Sequence, residues 1–326
     1  MTTVSIGDVI TAAQYNDLQT RVQKVLGNGT GDFGYGETVT SSSVAISKII
    51  EATDMNNLYT DIVKCAVHQT GSIPTTISQL AVADIIGADA STTPNETVKG
   101  HNDYNNAIGV IEAGRLSVAT AQTSYESKLQ SQRSSAWGQN PDVITHTFTV
   151  TFPGNYTTKD TSGNTYTTTG ADHMRHFFNA GGLIIFAASL SGGSGAKYND
   201  WNSMLTNMGN IYFARTATTA SGTGTTTTIG YEDLTTSYQT IFTKSGSGVY
   251  AENDYNIAAR SQTSDTIQFR IQFRDDDAGD QQGGYLPGPA VDENVGGTVT
   301  SSISQRRATG SYVEVITPTY ATDSNL

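Results

Sequence analysis

The chain has 326 residues, 30 of them acidic and 18 basic, for a formal net charge of −12. A surface of that sign repels phosphate and argues against nucleic acid as a partner, and no apolar run approaches the ~20 residues that span a bilayer, which argues against a membrane role. A single cysteine, Cys65, excludes an internal disulfide, while 16 Tyr, 10 Phe and 33 Gly give a mixture too aromatic for disorder and suited to exposed β-strands.

The polar N-terminal residues show no secretory pattern, so the expectation is a protein folded in a reducing cytoplasm. Residues 1–130 carry a faint internal repeat. Ile10-Thr-Ala-Ala-Gln-Tyr15-Asn16-Asp17-Leu18, Ile50-Glu-Ala-Thr-Asp-Met55-Asn56-Asn57-Leu58 and Lys99-Gly-His-Asn-Asp-Tyr104-Asn105-Asn106-Ala107 share one pattern. Each runs on with apolar residues at 3/4 spacing: Tyr15, Leu18, Val22 and Val25; Met55, Leu58, Ile62 and Cys65; Tyr104, Ala107, Ile111 and Gly114. That spacing predicts three amphipathic helices. Thr11 with Gln14 suits a capping box, and Ile10 against Tyr15, like Ile50 against Met55, has hydrophobic-staple spacing; the third copy has Lys99 there instead. Spacings of 40 and 49 residues between the copies suit stacked helical units.

The stretch 26–36, Leu-Gly-Asn-Gly-Thr-Gly-Asp-Phe-Gly-Tyr-Gly, is glycine-rich without being a phosphate loop. No Gly-Lys-Ser/Thr follows, and Asp32 would repel phosphate. It reads as an ordered connector that places Phe33 and Tyr35 in contacts. Residues 115–135 read as a polar helix with a thin stripe of Leu116, Ala119, Thr123 and Leu129, serving as a linker before a boundary at 138–141.

From Thr145 the pattern is β. Phe148, Val150 and Phe152 alternate with polar residues, as do Ile267, Phe269, Ile271 and Phe273. Strands are also expected over 164–169, 225–229, 238–242, 255–259, 299–305 and 312–316. The block 170–213 interrupts them with helix, strand, loop, helix and strand. Asp172 is a candidate N-cap ahead of Met174, Phe177 and Phe178; Gly181-Gly182 ends the helix; 183–188 is a buried apolar strand. A second helix begins near Asp200 with Trp201, Met204, Leu205 and Met208 on one side, and Ile211-Tyr212-Phe213 opens the next strand. The expected fold class is α+β: a helical N-terminal region with weak repeats over 1–136, followed over 137–326 by a mainly antiparallel β-sandwich with inserted helices.

The 173–213 block, from His-Met-Arg-His-Phe-Phe-Asn-Ala-Gly-Gly through Trp201 to Met208-Gly-Asn-Ile-Tyr-Phe213, resembles a segment of virion structural proteins of tailed bacteriophages, in particular contractile-tailed phages that infect cyanobacteria. The glycine-rich 26–36 stretch and its preceding helix resemble the same group, and the matching pieces cover about half the chain. The resemblance implies a structural part of a neck, tail or fibre, assembled in the host cytoplasm into the virion, with other virion proteins as partners and cyclic homo-oligomers as the common state.

Candidate chemistry is sparse. His173 and His176 share a helix face and, with His146, form a candidate metal set, but no His-Glu-x-x-His frame is present. Asp275, Asp277 and Asp280, at positions 1, 3 and 6 of an acidic turn with a glycine, are candidate calcium ligands, although the twelfth-position Glu of an EF-hand loop is missing. Ser194 lacks a nucleophile-elbow frame. Cys65 with His68 at i+3 falls on the apolar face of its helix, the position of a buried structural thiol. The expectation is therefore a non-enzymatic structural protein without a cofactor, and the alternative is a module that binds host surface glycan, with calcium in its acidic loop.

Overall fold

The computed structural model describes residues 4–5, 8–81, 84, 86–88, 100–139, 142–159, 164–281 and 290–323. In chain order these form α1 (Ala12–Leu26), α2 (Ala52–Thr70), α3 (His101–Ala113), β1 (Thr123–Arg133), β2 (Asp142–Thr151), β3 (Thr157–Lys159), β4 (Thr165–Thr167), α4 (Gly170–Asn179), β5 (Leu183–Ser191), α5 (Ala196–Met208), β6 (Ile211–Phe213), β7 (Thr218–Ala220), β8 (Thr225–Thr226), β9 (Gln239–Ser245), β10 (Asp254–Thr263), β11 (Thr266–Asp275), β12 (Asp280–Gln281), β13 (Ala290–Val291), β14 (Thr298–Ala308) and β15 (Thr319–Asp323). The fold is α+β, with helices concentrated toward the N-terminus and antiparallel sheets after them. Two compact units divide the chain. A helical unit holds Met1–Ser124, Pro153–Gly181 and Arg307–Thr317; a sandwich unit holds Tyr125–Phe152, Gly182–Arg306 and Pro318–Leu326. Two segments expected with the sandwich, 153–181 and 307–317, thus belong with the helices.

In the helical unit α1, α2 and α3 pack against one another pairwise. Their buried stripes are Tyr15, Leu18, Val22 and Val25; Met55, Leu58, Ile62 and Cys65; and Tyr104, Ala107, Ile108 and Ile111. Each helix starts with the same chemistry. The third helical residue reaches back to the N-cap amide: Thr11 N–H to Gln14 Oε1 at 2.8 Å, Glu51 N–H to Asp54 Oδ2 at 3.0 Å and Gly100 N–H to Asp103 Oδ2 at 2.8 Å. One otherwise free amide per helix is satisfied this way.

The repeat also extends upstream of what the helix periodicity reveals. Val4-Ser-Ile-Gly-Asp-Val-Ile10, Val44-Ala-Ile-Ser-Lys-Ile-Ile50 and Leu80-Ala-Val-Ala-Asp-Ile-Ile86 align without a gap. Each leader makes the same tight turn, with Asp8 N–H on Ser5 O at 3.0 Å, Lys48 N–H on Ala45 O at 3.1 Å and Asp84 N–H on Ala81 O at 3.2 Å. An asparagine clasps each leader by both its backbone groups. Asn16 accepts from Val44 N–H at 2.8 Å and donates to Val44 O at 3.0 Å; Asn56 does the same to Leu80 at 2.7 and 3.0 Å; Asn102 does so to Val4 at 3.1 and 3.0 Å. The arrangement is cyclic: α1 holds the second leader, α2 the third and α3 the first.

The sandwich unit is built of a five-stranded sheet in the order β1-β14-β5-β6-β7 and a six-stranded sheet in the order β15-β2-β11-β10-β9-β8. Alternation sets the core. Ile144, His146, Phe148 and Val150 of β2 stand inward beside Ile267, Phe269, Ile271 and Phe273 of β11, with Thr147 opposite Arg270 on the outer face. Across the sandwich Phe269 meets Phe186 of β5 at 4.8 Å and Phe213 of β6 at 5.2 Å between ring centres. Two polar links cross the same core: His146 Nδ1 to Ser301 Oγ at 2.9 Å and Tyr320 O–H to Gln305 Oε1 at 2.6 Å.

Three local expectations are corrected. Residues 123–133 form an edge strand rather than a helix, since their few apolar side chains fit a half-covered strand as well as a helix stripe and the five-stranded sheet supplies backbone partners. The N-cap of α4 is Thr169, whose hydroxyl accepts from Asp172 N–H at 3.2 Å, while the Asp172 carboxylate accepts from Thr169 N–H at 2.9 Å; Asp172 is the back-reaching partner of a capping box. Over 312–316 only an isolated bridge forms, Thr309 with Glu314, and the final strand lies further on as β15.

Candidate functional site

The glycine-rich stretch 26–36 and the start of the 173–213 block, up to Gly181, meet in the helical unit. The glycine-rich connector curls back on the end of α1, with Tyr35 N–H on Val25 O at 3.1 Å, Gly36 N–H on Gly27 O at 2.9 Å and Glu37 N–H on Leu26 O at 2.9 Å. Its outward carbonyls are then gathered by one face of α4. Arg175 donates to Asn28 O at 2.7 Å, His176 Nε2–H to the same oxygen at 2.8 Å, and Asn179 to Gly31 O at 3.2 Å and Phe33 O at 3.0 Å. Glycine is required at Gly36, where φ is +81° and a Cβ would run into the His176 ring. Lys24 lies 3.7 Å above the Phe33 ring, and Tyr35 O–H donates to Arg115 O at 2.9 Å, so both aromatics of the connector are committed to contacts.

His173 and His176 are both buried and face protein groups. Tyr156 O–H lies 2.6 Å from His176 Nδ1, so the neutral ring accepts there and donates from Nε2. Burial pushes its pKa down to about 3, with Arg175 adding to the effect and the Asn28 carbonyl opposing it. His173 sits between Pro153 O at 2.6 Å and Ile316 O at 2.7 Å. Only an imidazolium donates to both, yet burial outweighs these bonds and the net shift is downward. His146 belongs to the sandwich core. Among the described residues no group of three or more His, Cys, Asp and Glu is arranged to hold a metal ion. Cys65 is buried, and burial raises its thiol pKa well above the ordinary value; His68, likewise buried, stacks against Tyr35 at 4.7 Å.

Beside this lock lies a pocket of about 150 Å³ lined by Tyr35, Glu37, Tyr156, Glu314 and Ile316. Burial raises the Glu37 carboxyl to about 7, against the pull of the Glu314 N–H that it accepts at 2.7 Å and of Lys64. This places an acid that is about half protonated at neutral pH on the pocket wall.

The acidic turn after β11 is organised around a lysine that sequence reasoning missed. Lys197, in the first turn of α5, is fully buried, and its Nζ lies 2.7 Å from Asp275, 2.5 Å from Asp292, 3.4 Å from Asp277 and 2.9 Å from Gly138 O. Of the three candidate calcium ligands, Asp275 and Asp277 therefore face an ammonium, and the side chain of Asp280 lies outside the described residues. Burial raises the Asp275 carboxyl to about 6, with Lys197 acting the other way. Burial also pulls the lysine down, but Asp275 and Asp292 outweigh it. No local signal betrays this cluster, because its carboxylates lie 78 and 95 residues beyond the lysine.

Among the described residues, the most exposed large apolar side chains lie on the leaders. Val9, Ile46 and Ile49 are 82, 92 and 82 % exposed, and they border an open groove of about 810 Å³ that Ile10, Ile50 and Ile86 also line. Its charges are committed: Asp8 accepts from Ser5 N–H at 2.9 Å, Asp84 from Ala81 N–H at 2.7 Å, and Lys48 pairs with Asp54 at 3.2 Å. Such a groove suits apolar side chains from a partner rather than a charged small molecule. No protein-family model, no curated protein and no solved structure matches the chain.

Proposed function

We propose that the chain is a non-enzymatic structural component of a bacteriophage virion, acting in the neck, tail or fibre attachment through protein–protein assembly. The observation that carries this reading is the apolar groove on the helical unit. Val9 and Ile49 are equivalent residues of two leaders and stand in solvent together with Ile46, each worth roughly 1.5–3 kcal/mol when a partner buries it. A neighbouring virion protein or a further copy of the chain is the occupant that such a surface fits, and the sequence resemblance points the same way. The alternative of a glycan-binding module built on a calcium loop draws less support, because Asp275 and Asp277 are turned toward Lys197.

The test is the triple variant Val9→Ser, Ile46→Ser and Ile49→Ser. Because the three side chains are exposed, its melting temperature is expected to match the parent. Its incorporation into particles, in a complementation assay on a phage lacking the protein, is expected to fall at least tenfold. Normal incorporation of the folded variant would sink the reading. Light scattering on the purified chain, with and without EDTA, adds the oligomeric state and its dependence on metal.

A further inference from the structure

The surroundings of Lys197 hold more than an ion pair. Its Nζ is shut away from solvent in the sandwich unit, 2.7 Å from the Asp275 carboxylate, whose side chain is also fully buried. Residues close to the site in the chain form an aromatic cluster: Trp137, next to Gly138, and Trp201, four residues after Lys197, lie 4.9 Å apart, Trp201 lies 6.1 Å from Phe273, two residues before Asp275, and Tyr255 lies 5.1 Å from the same ring. A third group stands ready, the Asp292 carboxylate at 2.5 Å from Nζ, partly exposed and so able to exchange protons with water. Gly138 O accepts from Nζ at 2.9 Å and fixes the direction of the amine. Gly138 itself has φ +88°, and a side chain there would press on Asp275 Oδ2 and Val295.

From this geometry we propose that Lys197 and Asp275 join in a spontaneous intramolecular isopeptide bond, with Asp292 carrying the proton. The atoms balance without any co-reactant. The ammonium passes a proton to Asp292, leaving an amine with two N–H groups and a lone pair. One N–H stays on Gly138 O, and the lone pair attacks Cγ of protonated Asp275, forming the C–N bond. The tetrahedral carbon then expels a hydroxyl as water, taking the proton that Asp292 returns, and the second amine proton leaves with the relay. One C–O bond breaks, one C–N bond forms, one water is lost, and nothing is oxidised or reduced. Three features favour the step. The reacting groups are held in contact, which removes the entropy cost of encounter. Burial penalises the charged form of both groups and so works toward the amine and the acid, while Asp275 and Asp292 keep the lysine an ammonium until Asp292 takes its proton. Burial holds the Asp275 carboxyl at about 6, so its protonated form is accessible near neutrality. The product ties the first turn of α5 to the end of β11.

Intact-mass spectrometry of the purified full chain, denatured, is the first readout, and peptide mapping is the second. The expected result is a mass lower than the sequence value by one water, together with a single branched tryptic species that joins the Lys197 and Asp275 peptides. Lys197→Arg and Asp275→Ala are each expected to restore the full sequence mass, and Asp292→Asn to slow the loss of water at least tenfold after refolding. The wild-type measurement decides the matter even if a variant fails to fold. Unlinked peptides carrying free Lys197 and free Asp275 overturn the proposal, as does a water loss mapped to a succinimide within one peptide.

Discussion

Asn16 and Asn56 perform one task a repeat apart, and the task is visible only with the backbone in view. Each side chain holds a single leader residue, Val44 or Leu80, by both its N–H and its C=O. Val44 and Leu80 are buried, so loss of the clasp leaves backbone groups without a partner in a place water reaches poorly. Asn16→Ala and Asn56→Ala are each expected to cost about 1–3 kcal/mol in chemical denaturation, whereas Asn106→Ala, at an exposed position on α3, is expected to stay within about 0.5 kcal/mol. If Asn16→Ala melts like the parent, the clasp is ornamental. The asparagines themselves were legible, as the Asn that follows Tyr15 and Met55. Their partners were not, because a bond to backbone leaves no mark on the side chain at Val44 or Leu80. Lys197 was illegible for a related reason: nothing near it in the chain hints at carboxylates that only the folded sandwich brings to it.

At the scale of elements, periodicity was a sound guide wherever one face is buried. The stripes of α1 and α2, the alternation of β2 and β11 and the apolar β5 all appear where the spacing predicts them. It failed over 123–133, where burial is partial and the apolar content too thin to distinguish the 3.6 period from the 2 period. The connector between α1 and α2 read as an ordered turn, but its partner did not, since α4 lies more than a hundred residues on and grips carbonyls rather than side chains. That grip makes Gly36 a sensitive position. Gly36→Ala demands a positive φ of an L-residue and drives a methyl into the His176 ring, so a loss of about 2–4 kcal/mol is expected. The local readout is hydrogen exchange: the Tyr35, Gly36 and Glu37 amides, bonded to the end of α1, are expected to lose protection before the amides in the middle of α2. Uniform loss across the helical unit would mean that the connector is not a separate lock but part of a single cooperative core.

For the molecule as a whole, the buried ionisable groups of the helical unit oppose one another in pH. Burial lowers His68 to about 4 and His176 to about 3 from 6.5, and His173 moves the same way. Between those values and 6.5 the unfolded chain binds more protons than the folded one, so their contribution to stability rises with pH up to 6.5 and is level above it. Glu37 acts in the other direction. Its folded value, raised by burial from 4.5 to about 7, lets the folded state hold the extra proton, so its contribution is present below 4.5 and is lost as pH climbs through 7. Between 4.5 and 6.5 three histidines outweigh one glutamate and stability climbs; through neutrality the last of the histidine gain and the last of the glutamate loss nearly cancel, and stability levels off. The helical unit is therefore expected to reach its greatest stability at about pH 7 and to hold it to about pH 8. Glu37→Gln tests the assignment, because the amide mimics the protonated acid and keeps the oxygen that accepts the Glu314 N–H. The variant is expected to gain about 1–2 kcal/mol over the parent at pH 8, less than the full shift implies because water reaches part of the side chain, and to match the parent at pH 4. Denaturant midpoints across that range, followed by a probe in the helical unit, read the difference directly. A parallel pair of curves would mean that Glu37 is solvated and ionised throughout.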